Sequence, residues 1–162
     1  MLTHGHFDHT MKANEYRNIT GAKIAICEQE AEFTMNRDLN LSYLFMDYGM
    51  DPFEADIMLK NGDTLKIGET EIHVVHTPGH TKGGVCYIIG DCIFSGDTLM
   101  KETVGRTDLI TGDYNAIINS VQFLASLKEN YRIYPGHVKS TTLDYEKQHN
   151  PYLGKANYDN IY

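Results

Sequence analysis

Three histidines and an aspartate crowd the run His4-Gly5-His6-Phe7-Asp8-His9, close to the first residue of the chain. Imidazole nitrogens and carboxylate oxygens are the ligands that zinc and similar divalent ions accept, at bond lengths of about 2 Å. A polar surface loop that happens to contain histidines is the competing interpretation, and it accounts poorly for this density. The run therefore predicts one half of a metal site, and the rest of the fold must supply the other half.

The spacing within this run favours two ions over one. If His4 and His6 follow a strand, their side chains point the same way, because alternate side chains of a strand share a face. They could then bind one ion together. Asp8 and His9 fall beyond the strand, on a turn or on the first turn of a helix, where they would reach a second ion.

Composition excludes several classes of protein. With 162 residues, of which 41% are apolar and 22% charged, the chain has the size and make-up of one globular domain. A formal net charge of -8 would repel polyanions, so we expect no nucleic-acid partner. No apolar run approaches the roughly 18 residues that cross a bilayer, and no signal peptide is recognisable. We therefore expect a soluble, cytoplasmic protein with no membrane partner.

The cysteines agree with a reducing compartment. Cys27, Cys86 and Cys92 are odd in number and lack the paired CxxC spacing of a structural zinc site. Their apolar neighbours predict buried, reduced thiols, which are typical of the cytosol.

Periodicity and breaker residues predict a single α/β domain over residues 1–162, with a mixed sheet and flanking helices. Helices are predicted at residues 11–18, 28–36, 40–46, 114–128 and 143–149. Strands are predicted at residues 23–27, 57–60, 64–67, 70–75, 85–89, 92–94 and 131–134. Asp113 is the predicted N-cap of the long helix, and Asn61-Gly62 is a strong hairpin signal.

Three more stretches carry ligand-type residues, and each directly follows a predicted strand. They are His76-Thr77-Pro78-Gly79-His80, Ser95-Gly96-Asp97-Thr98 and Tyr134-Pro135-Gly136-His137. Small residues in each stretch let the backbone approach an ion and its water closely. Taken singly, the candidate ligands would more often be structural; together with the opening run, they form a seven-ligand set for two ions.

The motifs HxHxDH, TPGH, SGDT and PGH, in this order along the chain, resemble the metallo-β-lactamase superfamily. Within it the chain is most similar to short glyoxalase II-like (hydroxyacylglutathione hydrolase-like) proteins, and residues 105–108 and 146–152 support that narrower likeness. The resemblance implies an αββα sandwich. Members carry strands before HxHxDH that this sequence does not contain, so the implied sandwich is truncated at its N-terminus.

The resemblance also implies which ion each candidate ligand would bind. One ion would be held by three histidines: His4, His6 and His80. The second would be held by Asp8, His9 and His137. Asp97, with a water, would bridge both ions. Zinc is the expected metal, at two ions per chain, with iron or manganese as alternatives. Asp8 and Asp97 are the expected catalytic residues.

Some positions depart from the family pattern or stay ambiguous. Val138-Lys139 follows His137 where the short forms usually have glycine, and the residues that hold glutathione belong to a C-terminal domain that is absent here. Glutathione recognition therefore cannot be carried over. His76 is either structural or a partner of a metal ligand. Arg106 either neutralises an anionic substrate or only pairs with Asp108.

The implied reaction is hydrolysis of a small-molecule thioester or ester by a hydroxide shared between two ions, since two cations lower the pKa of water from 15.7 toward about 7. Two alternatives remain. One is an oxidoreductase of the persulfide dioxygenase type, in which a single iron is bound by His4, by either His6 or His80, and by Asp97. The other is an inactive, truncated metal-binding fragment. A sheet without its first strands would expose an unpaired edge, so we expect a homodimer.

Overall fold

The structure is a computed structural model, and it describes residues 1–153. Its helices are α1 (Phe7–Thr10), α2 (Ala13–Thr20), α3 (Ser42–Phe45), α4 (Tyr114–Ala125), α5 (Leu143–His149) and a 3-10 helix (Glu28–Thr34). Its strands are β1 (Ala25–Cys27), β2 (Ile57–Leu59), β3 (Thr64–Ile67), β4 (Thr70–His76), β5 (Val85–Ile89), β6 (Cys92–Gly96), β7 (Leu99–Met100), β8 (Thr103–Val104), β9 (Arg132–Pro135) and β10 (Thr141–Thr142).

Six strands form the main sheet, in the order β10-β9-β6-β5-β4-β3. The pair β6 and β9 is parallel, and the other neighbours are antiparallel. Strands β1 and β2 pair in parallel as a second sheet, and β7 with β8 forms a short hairpin. The predicted α/β class with a mixed sheet is confirmed.

Side chains alternate between the two faces of the main sheet, and each face packs against another layer over at least part of its area. On one face, Cys86 and Ile93 pack against α4 residues such as Ile117, and against Leu143 of α5. On the other face, β4 and β5 contact the second sheet, where Val85 packs near Leu59.

An outer layer lies behind the second sheet and completes the predicted αββα order. Ile26 of β1 packs with Met50 and Phe53 on that side, where Phe7 of α1 and Ala13 of α2 are half-buried against the same cluster.

The second sheet covers only part of the main sheet. Within residues 1–153 it consists of β1 and β2, and β6 and β9 lie beyond it. Since Ile93 faces the helices, the next residue, Phe94, points to the opposite face, where its ring stacks on Tyr134 at 5.3 Å between centroids. Both rings are exposed, by 42% and 37%.

Element bounds differ from prediction mainly before residue 50. The predicted helix 11–18 corresponds to α2, which starts and ends two residues later and is capped by Gly21 in the left-handed region, and the predicted helix 28–36 is the 3-10 helix. The predicted helix 40–46 is a single turn, because Leu41, its N-cap, has a φ of 65° that no helix interior adopts. Asp113 does cap α4, accepting a hydrogen bond from the Ala116 amide.

None of the helices within residues 1–153 has both the length and the apolar character to cross a membrane.

Candidate metal centre

The predicted ligands meet at one edge of the main sheet because of strand direction. β4 and β6 are both antiparallel to β5 and therefore point the same way, and β9 is parallel to β6. The carboxyl ends of all three strands thus lie at the same edge, and the loops that follow them carry His80, Asp97 and His137.

The opening run reaches this edge from the second sheet. The Leu2 amide donates to the Ala25 carbonyl at 2.9 Å, and the Val85 amide donates to the Thr3 carbonyl at 2.8 Å. Residues 1–3 are therefore held between β1 and β5, although they form no assigned strand. Asp8 and His9 lie in α1, which agrees with the predicted first turn of a helix.

Three buried histidines form the inner part of the cluster: His4, His6 and His80. Their ligand atoms lie within 4.8 Å of one another. His6 Nδ1 is 3.0 Å from His80 Nε2. Two ligands bound at about 2.0–2.1 Å to one tetrahedral ion would lie roughly 3.3 Å apart, so this spacing is close to the edge of a coordination tetrahedron.

A second, more accessible trio lies beside the first: Asp8, His9 and His137. His9 Nε2 is 3.2 Å from His137 Nε2, and His137 Nε2 is 3.1 Å from Asp8 Oδ2. The side chains of His137 and Asp8 are 51% and 40% exposed. This trio therefore faces the approach from solvent.

Asp97 stands between the two trios. Its Oδ2 is 3.6 Å from His80 Nε2 of the inner trio and 3.5 Å from His137 Nε2 of the outer trio. Its Oδ1 is 3.5 Å from His9 Nε2. One buried carboxylate thus lies close to both groups, which is the position that a ligand shared by two ions would need.

Two features of the cluster suit divalent cations. Some of its polar atoms have no hydrogen-bond partner, and its buried histidine rings are uncharged. His4 Nε2, His6 Nε2 and Asp97 Oδ1 are buried and have no hydrogen-bond partner among residues 1–153, a state that costs about 1–3 kcal/mol per group. Burial holds the pKa of His4 well below its ordinary value and lowers the pKa of His6 to about 3. Neutral rings and a buried carboxylate are the donor set that a divalent cation would pair with.

A backbone carbonyl and a glycine shape the cluster. The carbonyl contact could not be predicted from the sequence. His80 Nδ1 lies 2.8 Å from the Arg106 carbonyl oxygen, which assigns the proton to Nδ1 and leaves the Nε2 lone pair facing the cluster. A Cβ on Gly136 would lie 2.4 Å from both Asp97 Oδ1 and His9 Cε1, so only glycine fits there.

The ambiguous residues lie outside the cluster. The Arg106 side chain makes two bonds to Asp108, of 2.7 and 2.8 Å, and both side chains are exposed. His76 Nε2 lies 3.0 Å from the Lys82 carbonyl oxygen. His73 contacts Thr64, and His149 stacks on Tyr145.

A cavity of about 410 Å³ opens beside Asp8 and His9. Its wall is mostly apolar, with Leu2, Met11 and Tyr16 among the lining residues. Two of the three residues of the accessible trio thus line a space that a small organic molecule could occupy.

Comparisons of sequence and of overall fold with known proteins are consistent with a metal site. A family model described as the metallo-beta-lactamase superfamily matches residues 1–137. A probable metallo-hydrolase of Streptococcus pyogenes is 35% identical, over 94% of this chain and 69% of that protein. Hydroxyacylglutathione hydrolase GloC of Haemophilus influenzae is 32% identical, over 94% and 74%. The crystal structure of BLEG-1 B3 metallo-beta-lactamase superposes with a TM-score of 0.89 at 32% identity, over 94% of this chain and 75% of that one.

Proposed function

The chain belongs to the metallo-β-lactamase superfamily of metal-dependent hydrolases, and from this premise we propose that it hydrolyses small thioesters or esters with two divalent ions. The single observation that carries the proposal is the position of Asp97. Its carboxylate contacts His80 on one side and His9 and His137 on the other, at 3.5–3.6 Å. A side chain so placed can hold two ions at a short, fixed separation.

The proposed ligand roles follow the two trios. The inner ion would be held by His4, His6 and His80. The outer ion would be held by Asp8, His9 and His137. Asp97 would contact both. When bound, such ions supply a water with a pKa near 7 and stabilise negative charge on a carbonyl oxygen.

Two carboxylates of the chain carry the remaining steps. Asp8 is partly exposed and stands on the outer side of the cluster, where it can accept a hydrogen bond from the attacking water and orient it. Asp97, which is 8% exposed, keeps the ligand groups in register while charge develops at the substrate. No nucleophilic serine or cysteine is required.

The cavity beside Asp8 and His9 supports a small organic substrate with an apolar group next to its carbonyl. The relative named hydroxyacylglutathione hydrolase GloC makes a thioester the first class to test. BLEG-1, named a B3 metallo-beta-lactamase, adds a β-lactam to the panel. We propose no specific recognition of glutathione.

The metal and the cellular setting are also proposals. Nitrogen and oxygen donors without thiolate suit zinc, and they also accept iron and manganese. The three free cysteines support a reducing compartment, and hence the cytoplasm. We propose a homodimer as the working form and a small molecule as the substrate partner.

The test is a hydrolysis assay on metal-free protein reloaded with zinc, iron or manganese in turn. A thioester, an ester and a β-lactam are compared, and oxygen uptake is recorded alongside. Metal-dependent thioester or ester hydrolysis supports the proposal. One iron per chain with oxygen uptake and no hydrolysis would instead favour the oxidoreductase alternative. Metal binding with neither reaction would favour an inactive metal-binding fragment.

A further inference from the structure

A buried glutamate outside the ligand cluster joins two of its loops. Glu30 lies in the 3-10 helix and has no solvent exposure. Its Oε2 accepts a hydrogen bond from the Gly5 amide at 2.9 Å, and its Oε1 accepts one from the Gly83 amide at 2.8 Å. The two oxygens of one carboxylate are thus divided between two separate loops.

These loops are the ones that carry the inner trio. Gly5 stands between His4 and His6, and Gly83 lies in the same loop between β4 and β5 as His80. The contact between the loops on the ligand side is the 3.0 Å approach of His6 Nδ1 to His80 Nε2. Glu30 makes the corresponding connection from the protein interior.

Steric evidence shows how closely the loops approach this carboxylate. A Cβ on Gly5 would lie 2.9 Å from Glu30 Oε2 and 2.3 Å from Phe33 Cβ. A Cβ on Gly83 would lie 2.6 Å from Glu30 Cγ. Both positions therefore need glycine, because the 3-10 helix fills the space that a side chain would take.

We propose that Glu30 is a positioning residue that fixes the distance between His6 and His80, and thereby sets the affinity of the inner metal site. The inference rests on the proposed function only in that the inner trio binds an ion. Only a carboxylate of this length suits the role. Glutamine would turn an NH2 group toward one of the two amide donors, and aspartate is one methylene too short to reach both loops.

Glu146 provides a matched control, because it is also fully buried. It accepts hydrogen bonds from the Glu102 amide and the Asn150 side chain, each at 2.8 Å, and from Thr141 at 2.6 Å. It lies in α5, and none of these partners is a predicted ligand. Loss of Glu146 should destabilise the fold much as loss of Glu30 does, but without disturbing the metal site.

The experiment measures zinc affinity of metal-free protein by competition with a chromophoric chelator, for the wild type, Glu30→Gln and Glu146→Gln. Changing a residue that supports metal ligands costs roughly 10- to 100-fold in metal affinity. We expect Glu30→Gln to lose affinity by that factor at the tighter site. When cobalt replaces zinc, the visible spectrum of the variant should also differ from that of the wild type. Glu146→Gln should bind within about twofold of wild type.

Several outcomes would overturn the inference. One is wild-type zinc affinity in a folded Glu30→Gln, and another is an equal loss in both variants. If Glu30→Gln fails to fold, Glu30→Asp gives the second test, because it keeps the charge but is one methylene too short to reach both loops; unchanged affinity there overturns the inference as well. Absence of zinc binding in the wild type would instead contradict the proposed function itself.

Discussion

His6 Nδ1 and His80 Nε2 lie 3.0 Å apart, although 74 positions separate the two residues in the chain. Burial lowers the pKa of His6 to about 3, so its ring is neutral near pH 7, and the tautomer protonated on Nε2 presents a lone pair at Nδ1 to this contact. Two neutral imidazole rings at this spacing attract each other only if one of them donates an N–H hydrogen bond to the other. A shared cation supplies the missing partner for both.

The two trios should fill in order. The inner trio is buried, whereas His137 and Asp8 are about half exposed. The ligands of the inner site are therefore held more firmly in place than those of the outer site. We expect His137→Ala to bind one zinc ion tightly, while His80→Ala loses the tighter ion. Elemental analysis and calorimetric titration of both variants, prepared without chelator, measure this. Equal zinc contents of two ions in the wild type and in both variants would contradict it.

Gly136→Ala should damage the metal site more than the fold. The added methyl would approach Asp97 Oδ1 and His9 Cε1 to 2.4 Å and push both side chains from their places. We expect metal affinity to fall at least about tenfold, as for other losses of ligand support. Gly90→Ala is the control, since its methyl meets nothing within 4 Å and only its φ of 56° is strained. A Gly136→Ala protein that binds zinc like Gly90→Ala would refute the crowding argument.

Alkaline pH should destabilise the protein through Cys86. Burial raises the pKa of this thiol from 9.0 to about 11, so the unfolded state ionises first. Its contribution to stability is therefore present below about pH 9 and is lost as pH rises through 11, by roughly 2–3 kcal/mol at 1.36 kcal/mol per pKa unit.

Urea unfolding at several pH values, for the wild type and Cys86→Ala, measures this contribution. We expect the free energy of unfolding to fall less steeply between pH 9 and 11 in the variant. Burial also raises the pKa of Tyr87 and Cys27, so part of the fall should remain. Identical slopes for the two proteins would show that Cys86 does not contribute.

The exposed stack of Phe94 on Tyr134 leads us to predict self-association through that face of the main sheet. Two aromatic rings, exposed by 42% and 37% on a sheet surface, are a candidate contact between copies. Light scattering should give a mass above 18.4 kDa, and the double substitution Phe94→Ser with Tyr134→Ser should lower it to that of one chain. Phe123→Ser, on an exposed face of α4, is the control. A wild-type protein of 18.4 kDa at all concentrations would exclude a dimer.

The sequence alone predicts that the seven candidate ligands lie close together, because their residue types and their order along the chain indicate a shared metal site. A loop after each of three strands is enough to place His80, Asp97 and His137 together, once the strands point the same way. The strand bounds were also close, since alternation and turn residues are local signals. The conformation of Leu41 could not be anticipated, because leucine rarely adopts a φ of 65°.

The supporting contacts of the site were beyond sequence reasoning for a different reason. The Arg106 carbonyl that meets His80 belongs to the backbone, and any residue type would supply it. Glu30 binds amides that lie 25 and 53 positions away, so no local pattern reveals its role. The Arg106 side chain, in contrast to its carbonyl, pairs with the neighbouring Asp108.

The measurement that tests the account most directly is thioester hydrolysis during zinc titration of metal-free wild type and Asp97→Asn. Asparagine keeps the shape of Asp97 but removes the charge that would hold two cations together. We expect the wild-type rate to rise mainly with the second equivalent of zinc, and the variant to lose at least about a hundredfold, the scale of one lost electrostatic contact in catalysis. Equal rates for the two proteins, or a rate that ignores zinc, would contradict a two-ion hydrolase.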